Sequence, residues 1–168
     1  MKEELLNSLR LHLETLHALV ADIPPAEMTR QPPGVPNHPA WTLGHLAYAF
    51  ANIVQTLADK DGLPPWFPAG WPELFATGTT PTATQSGYPS KAELCATLDD
   101  AAERLRQQLT DLPEANLSGP LPEVQRRAQF PTLGHAIMHV LVGHTAAHLG
   151  QLAVWRRARG LPARTIII

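Results

Sequence analysis

The sequence lacks the residues for a disulfide or a thiolate metal site. Its only cysteine is Cys95, so no disulfide can form within one chain and no cluster of sulfur ligands can be assembled from it. Long apolar runs are also missing, and the charged N-terminal residues show neither the apolar stretch nor the cleavage site of a signal peptide. We therefore expect a soluble, cytoplasmic protein.

A strong charge of either sign is absent as well. The 13 basic and 15 acidic residues give a formal net charge of -2, which offers no electrostatic footprint to nucleic acid or to an acidic membrane. The 168 residues are 44% hydrophobic, enough for one domain with a substantial core but not for two. We predict a single domain over residues 1–168, whose partner is a small molecule or a second subunit.

The sequence does contain helical periodicity. Apolar residues recur every three or four positions between residues 6 and 20 and between residues 43 and 57, which predicts two amphipathic helices, the first over about residues 2–21. Ser90 and Glu93 form the pattern of a capping box ahead of a third apolar stripe, which ends before Pro113. A fourth and longest helix is predicted from about residue 131 or 132 to about residue 159.

Four such stripes, without a convincing strand pattern, can bury one another only by packing helix against helix. The predicted fold is therefore all-α, an antiparallel four-helix bundle. The connection between the second and third helices, about residues 61–89, is much longer than usual and is rich in proline, glycine and aromatic residues. We expect this connection to cross one end of the bundle and to wall a substrate cleft.

Two histidines lie on the core-facing stripe of the fourth helix. The stripe follows spacings of four and three residues through Ile137, Leu141, His144, His148, Gln151 and Trp155. His144 and His148 are about 40° apart around the axis and about 6 Å apart along it, so their imidazoles can converge on one ion. Hydrogen-bonded interior histidines are the alternative. The position of the pair on the stripe favours a metal site.

A metal ion needs a further ligand from another helix. His45 is the natural candidate, because it lies in the first turns of the second helix, beside the line of Leu43 and Leu46. Taken alone, it would be interpreted as a surface histidine. Three histidines with an open coordination position would form a site of the catalytic rather than the structural type.

The other histidines fit a metal site less well. Nine residues separate His139 from His148, about 180° around an α-helix, so we predict that His135 and His139 face away from the ligand pair. We interpret them as structural residues or as a subunit contact. The two histidines of the first helix are expected to be solvated: His12 and His17.

Three more residues are candidates for orienting a ligand or contacting a substrate, and none is assigned as catalytic. Gln151 lies one turn beyond His148 and either orients a ligand or contacts a neighbouring helix. Trp41 lies near His45, where simple core packing is the alternative. His38 either lines the entrance to the site or caps the second helix.

Two segments of the chain resemble the DinB/YfiT-like superfamily: NHPAWTLGHLA and TLGHAIMHVLVGHTAAHLGQLAVWRR. Members of that superfamily carry a histidine near the start of the second helix and a His-x-x-x-His motif in a late helix, followed by Gly-Gln-Leu. The likeness covers most of the chain, including the long connection and the segment YPSKAEL. It implies a four-helix bundle, often dimeric, in which a divalent metal is held here by His45, His144 and His148.

The resemblance also implies a range of activities. Characterised relatives include thiol S-transferases that use bacillithiol or mycothiol, and a mycothiol-dependent maleylpyruvate isomerase. We expect a metal-dependent transferase that uses a low-molecular-weight thiol, or a metal-dependent hydrolase of a small molecule. The alternative is a non-catalytic metal-binding or ligand-binding protein associated with stress. Zinc or nickel is expected ahead of iron or manganese, and a homodimer is the expected assembly.

The sequence departs from a common family form, His-Glu-x-His-His-x-Gly-Gln-Leu, at two positions. Thr145 stands where many relatives have glutamate, and Ala147 where many have a second adjacent histidine. The three expected ligands are retained, but a carboxylate base beside the metal is missing. Because a cation itself lowers the pKa of a thiol or water next to it, the expected chemistry does not require that base.

Overall fold

The computed structural model describes residues 1–84 and 86–164 as an all-helical chain. Gln85, in the predicted long connection, and residues 165–168 of the predicted domain lie outside the described residues. Within the described residues there is no strand, only one antiparallel bridge between Pro120 and Thr132, which confirms the predicted all-α class. None of the helices described combines the length and the apolar character that crossing a bilayer requires.

Six α-helices and one π-helical turn make up most of the described part of the chain. The α-helices are α1 (Lys2–Val20), α2 (Pro39–Leu57), α3 (Trp71–Phe75), α4 (Lys91–Asp111), α5 (Leu133–Met138) and α6 (Thr145–Ala158). The π-helical turn, His139–His144, joins α5 to α6 in one helical stretch. The first three predicted helices correspond to α1, α2 and α4.

The start of α4 is fixed by the capping box that the sequence predicts. Ser90 Oγ accepts from the backbone N–H of Glu93 at 3.2 Å, and a Glu93 carboxylate oxygen accepts from the Ser90 N–H at 2.8 Å. The next residue, Lys91, donates to the carbonyls of residues 20, 21 and 23. The end of α1 is thereby tied to the start of α4, because the ammonium satisfies carbonyls that have no helical partner.

The core lies among α1, α2, α4 and the helical stretch of α5 and α6. α2 packs along α4, α1 contacts α4 and α6, and α2 contacts α6. Their apolar stripes supply most of the fully buried side chains, and burial of this apolar area drives the packing. Because α2 and α6 are neighbours, the histidines of the second and fourth predicted helices come together.

An ion pair between the buried Arg156 and the partly exposed Asp22 fastens α6 to the end of α1. The Arg156 side chain is buried and donates to both carboxylate oxygens of Asp22 and to the Leu19 carbonyl. Arg164 donates to the same carboxylate. The two guanidinium groups hold the pKa of the Asp22 carboxyl well below its usual range. Because Arg156 has no freedom to move in the core, the pair fixes the rotation of the end of α6.

The fourth predicted helix forms, but it is not a continuous α-helix. It begins after Thr132, whose hydroxyl accepts a backbone N–H of the first turn. In the π turn, the Thr145 N–H donates to the Val140 carbonyl five residues earlier, instead of to Leu141 four residues earlier. The extra residue rotates everything after the turn by about 100° relative to α5. Angles around the axis that are calculated from α-helical spacing are therefore wrong for two residues on opposite sides of the turn.

The long connection between α2 and α4 contains an aromatic segment with one short helix, α3, that packs against α2. Successive ring contacts join Phe67 to Trp71, Trp71 to Phe75 and Phe75 to Tyr88, with centroids 5.7, 5.1 and 5.9 Å apart. Phe75 meets α2 at Gly44, where a Cβ atom would overlap its ring. The segment approaches α2 this closely because Gly44 has no side chain.

Candidate metal centre

α2 places His45 in its second turn and fixes the ring on two sides. The His45 Nδ1–H donates to the Phe75 carbonyl at 2.7 Å, so the lone pair lies on Nε2. The Trp41 ring stacks on the imidazole with centroids 4.4 Å apart and planes 11° apart. His45 is only 4% exposed. The α2 histidine therefore presents Nε2 in one fixed direction.

The π turn and α6 bring two more imidazoles to the same point. His144 Nε2 lies 3.0 Å from His45 Nε2 and 3.2 Å from His148 Nε2. One potential ligand atom from each of the three side chains lies within 4.8 Å of the others. The structure thus brings together the three residues predicted as ligands, while metal binding by them stays a prediction.

The donor set fits a divalent metal ion. With zinc–nitrogen bonds of about 2.0–2.1 Å, ligand nitrogens in a tetrahedral site lie about 3.3 Å apart, close to the two separations between these Nε2 atoms. Three imidazole nitrogens that converge with their lone pairs repel one another unless a proton or a cation lies between them. A cation relieves this repulsion for all three at once.

Burial keeps these imidazoles in the neutral form that binds metals. It is the main cause that lowers the pKa of His144 to about 4 and that of His148 to about 3, and the neighbouring histidines contribute to both shifts. Burial also lowers the pKa of His45, against the opposing effect of its hydrogen bond to Phe75. At neutral pH all three rings are uncharged, as ligation requires.

Trp41 and Gln151 both adjoin the converging histidines. Besides stacking on His45, Trp41 contacts His148, with ring centroids 5.9 Å apart. Gln151 accepts a hydrogen bond from Asn37 Nδ2 at 2.7 Å, and its interaction with His148 raises the pKa of that ring against the effect of burial. Gln151 thus contacts a predicted ligand, and its other partner, Asn37, lies in the segment before α2 and not in a neighbouring helix.

His38 caps α2. Its Nδ1 accepts from the Trp41 backbone N–H at 3.1 Å, and its Nε2–H donates to the Thr82 carbonyl at 3.1 Å. The side chain is fully buried, and burial lowers its pKa to about 4. Of the two roles that the sequence left open, the structure shows the helix cap, which also ties the long connection to α2.

Because His38 is buried and neutral, we predict that the fold loses stability in acid. Below about pH 6.5 the unfolded chain takes up a proton here that the folded chain, with its pKa of about 4, does not bind, so stability falls across this interval. His38→Asn keeps an oxygen acceptor at the cap but cannot titrate. In urea denaturation, we expect its free energy of unfolding to fall less steeply with decreasing pH than that of the wild type. Parallel pH profiles would contradict this explanation.

A cavity of about 500 Å³ opens beside His45 and His144. Its walls combine aromatic rings, amides and hydroxyls with the Glu123 and Arg126 side chains, which pair with each other. The long connection contributes Thr77 to this lining, while its aromatic residues pack against α2 and one another. The volume is in the range of small-molecule sites, and the lining suits a polar molecule.

His139 also lines this cavity, so the prediction that it faces away from the ligand pair is wrong. Its ring lies 6.1 Å from that of His144 and 4.9 Å from that of Phe130. Residues five apart are about 140° apart on an α-helix, whereas the i→i+5 bonds of a π turn bring them to one side. His135 lies before the turn on an exposed position, where its Nδ1 contacts the Thr132 hydroxyl.

The prediction of a solvated His12 is also wrong. This residue is 4% exposed, and its Nδ1–H donates to the Leu141 carbonyl in the π turn at 2.8 Å. His17, in contrast, is partly exposed and contacts Asp99 at 2.8 Å. One feature of the sequence does indicate that His12 is buried. It lies three positions after Leu9 and four before Leu16, which places it on the apolar stripe of α1.

The fold and the site together define the class of protein. It is a helical protein with a candidate metal centre, where three imidazole nitrogens converge beside a cavity. The family model of the DinB superfamily matches residues 8–152, and the chain belongs to this superfamily. The resemblance drawn from the two histidine-containing segments is therefore confirmed.

A solved structure shows the same fold. It is the crystal structure of a protein from Streptococcus pneumoniae, determined by the Northeast Structural Genomics Consortium, which is 18% identical in sequence. The two align with a TM-score of 0.67 over 94% of this chain and 91% of that chain. At this level of identity the likeness concerns the fold alone. No curated protein matches the chain.

Proposed function

We propose that the chain binds one divalent metal ion through the Nε2 atoms of His45, His144 and His148 and serves as a metal-dependent enzyme. The observation that carries the proposal is the convergence of these atoms, with neighbouring separations of 3.0 and 3.2 Å. When bound, the ion supplies a Lewis acid that lowers the pKa of a thiol or a water molecule beside it. Three protein ligands leave one position of a four-coordinate site for that molecule.

The chemistry of the donors supports zinc or nickel as the metal. Imidazole nitrogen suits zinc, nickel and iron, whereas manganese is better matched by carboxylate and water oxygens. Among the described residues, the group that could hold an ion consists of the three histidines without a carboxylate. Manganese is therefore less favoured, and so is iron, whose non-haem sites typically combine two histidines with a carboxylate.

Our preferred reaction is the transfer of a low-molecular-weight thiol to an electrophile. The sulfur forms a bond to an electrophilic carbon, the leaving group departs with the electrons of its broken bond, and the thiol proton passes to solvent. The Phe75 carbonyl orients His45 for this task, and Trp41 excludes water from one side of the site. The polar cavity beside His45 and His144 supports a small-molecule substrate.

A hydrolase and a non-catalytic role are the other proposals. The Thr145 hydroxyl donates to the Val140 carbonyl at 2.8 Å, so it is engaged in the helix where many relatives carry a glutamate. This contact makes a hydrolase the weaker proposal, because position 145 offers no carboxylate base. Water needs such a base more than a thiol does, since the ordinary pKa of a thiol is only about 8.5. The Thr145 contact also favours a metal-binding or ligand-binding protein, associated with stress, that catalyses no reaction.

We further propose a finer architecture for this protein. The long helices form an antiparallel four-helix bundle of the DinB/YfiT-like type, as a single domain whose long connection crosses one end, and two copies form a cytoplasmic homodimer. The contacts of α2 with α4, and of α1 with α4 and α6, support the bundle.

The enzymatic proposal is tested by turnover of the metal-loaded protein. Protein loaded with zinc or nickel is mixed with bacillithiol, mycothiol or cysteine and a panel of alkyl and aryl electrophiles, and loss of the thiol is followed. We expect turnover that disappears after chelation of the metal and in His148→Ala. Full metal occupancy without turnover would favour the non-catalytic role, and absence of metal from the wild type would overturn the proposal as a whole.

A further inference from the structure

Two side chains hold the π turn that precedes α6. The His12 Nδ1–H donates to the Leu141 carbonyl at 2.8 Å, and the Thr145 Oγ1–H donates to the Val140 carbonyl at 2.8 Å. The backbone N–H of Thr145 donates to the carbonyls of Val140 and Val142, not to Leu141, its acceptor in an α-helix. His12 therefore supplies a donor to a carbonyl that has lost this helical partner.

The π turn changes which side of the helical stretch faces the core. Before and within the turn, the buried line consists of Leu133, Ala136, Ile137 and Leu141. After the turn, the residues that are at most 2% exposed are Thr145, Leu149, Leu152, Trp155 and Arg156. The centre of the second set lies roughly 100° from that of the first on an uninterrupted α-helix, which is the angle contributed by one inserted residue.

This rotation places the His144 and His148 pair at the edge of the core. His144 is partly exposed and lines the cavity together with His45. On an uninterrupted α-helix, the pair would lie in line with Ile137 and Leu141, at the centre of the core. The turn thus allows α5 to bury its apolar side while the pair meets His45 where a small molecule can enter.

We propose that His12 is a positioning residue for the metal centre: its hydrogen bond to Leu141 holds the π turn, and the turn sets the rotation of His144 and His148 toward His45. The inference rests on the proposed metal binding. His12 belongs neither to the cavity lining nor to the three converging imidazoles, so it acts on the site through the backbone of the turn. It reaches the turn from α1, 129 positions before Leu141 in the chain.

The test compares two replacements of His12, asparagine and leucine, whose side chains are nearly the same shape as each other. Asparagine places an N–H on the branch from Cγ that Nδ1 occupies, whereas leucine places a methyl group there. We expect His12→Leu to lower the affinity for Co²⁺ about 10- to 100-fold, the loss typical of removing a group that orients a metal ligand, and to change the visible absorption of the bound Co²⁺. His12→Asn is expected to retain the wild-type spectrum and most of the affinity.

A stability-matched control separates positioning from simple support of the fold. Ser90→Ala removes the side-chain cap of α4, a helix that carries none of the three histidines, and should lower the unfolding free energy without changing Co²⁺ affinity. If His12→Leu does not fold, Thr145→Val, which removes the other side-chain bond to the turn, is expected to weaken Co²⁺ binding in the same direction.

The outcomes distinguish this inference from the proposed function. A wild type that binds Co²⁺, beside a His12→Leu variant with the same affinity and spectrum, would overturn the positioning role alone. A wild type that binds no metal would overturn the proposed function and the inference with it. A lower unfolding free energy with unchanged Co²⁺ binding would identify His12 as a structural residue and would also overturn the inference.

Discussion

Replacing His144 with alanine is expected to lower the affinity for zinc or nickel by more than about 100-fold, beyond the 10- to 100-fold typical of losing a group that only orients a ligand. His144 supplies the central nitrogen of the site, because its Nε2 lies next to both His45 Nε2 and His148 Nε2. Its removal leaves two imidazoles without the atom that lies between them. His45→Ala and His148→Ala should also purify with little metal.

The matched control is His135→Ala. It is the same substitution in the same helical stretch, but His135 is exposed and contacts the Thr132 hydroxyl instead of the other imidazoles. Elemental analysis after dialysis should find about one ion per chain in the wild type and in this control. Thermal unfolding gives a second readout, because an ion present at about 1,000 times its dissociation constant stabilises the folded state by about 4 kcal/mol. Equal metal content in all five proteins would show that the ligands are assigned incorrectly.

Gly44→Ala is expected to destabilise the fold by about 3 kcal/mol, the upper part of the range for overpacking a core. The added Cβ would overlap the Phe75 ring, which is fully buried and cannot turn away. Displacing Phe75 also moves the carbonyl that orients His45, so metal affinity should fall together with stability. Urea denaturation and Co²⁺ titration measure the two effects.

Two variants test whether the clash is the cause. Phe75→Leu removes the ring atoms that the new Cβ would meet, so Gly44→Ala should cost less in that background than in the wild type, a coupling that a double-mutant cycle measures. Gly150→Ala adds a Cβ to α6 in open space and should stabilise slightly, by about 0.5–1 kcal/mol, through helix propensity. The steric explanation fails if Gly44→Ala and Gly150→Ala have similar effects.

Much of the fold could be predicted from local signals. The apolar stripes and the capping box at Ser90 and Glu93 gave α1, α2 and α4, because these signals act within a few residues of the helix they define. The spacing of His144 and His148 correctly predicted that both lie on one side of the last helical stretch described. His45 was found mainly through the resemblance to the superfamily, since nothing in its own helix distinguishes it from a surface histidine.

The π turn could not be predicted in this way. A donor on α1 is one of its stabilising partners, and no pattern within residues 139–144 indicates the extra residue. The error for His139 follows from it, because an assumed α-helix assigns this residue to the wrong side. The error for His12 does not, because its spacing to the stripe leucines of α1 already indicates burial. The role of Phe75 was missed as well, because a backbone carbonyl leaves no trace in the sequence.

The separation of the three histidines along the chain has a consequence for the order of events during synthesis. His45 and His144 are 99 positions apart, and His12 and Leu141 are 129 apart. At about 5–20 residues per second, a ribosome completes α2 several seconds before it adds His144. A nascent chain therefore carries only one of the three converging imidazoles for most of its synthesis, and the three-histidine site arises only after α6 has docked. Tight metal uptake would then mark a chain whose last helix is in place, and unfinished chains would not retain the ion.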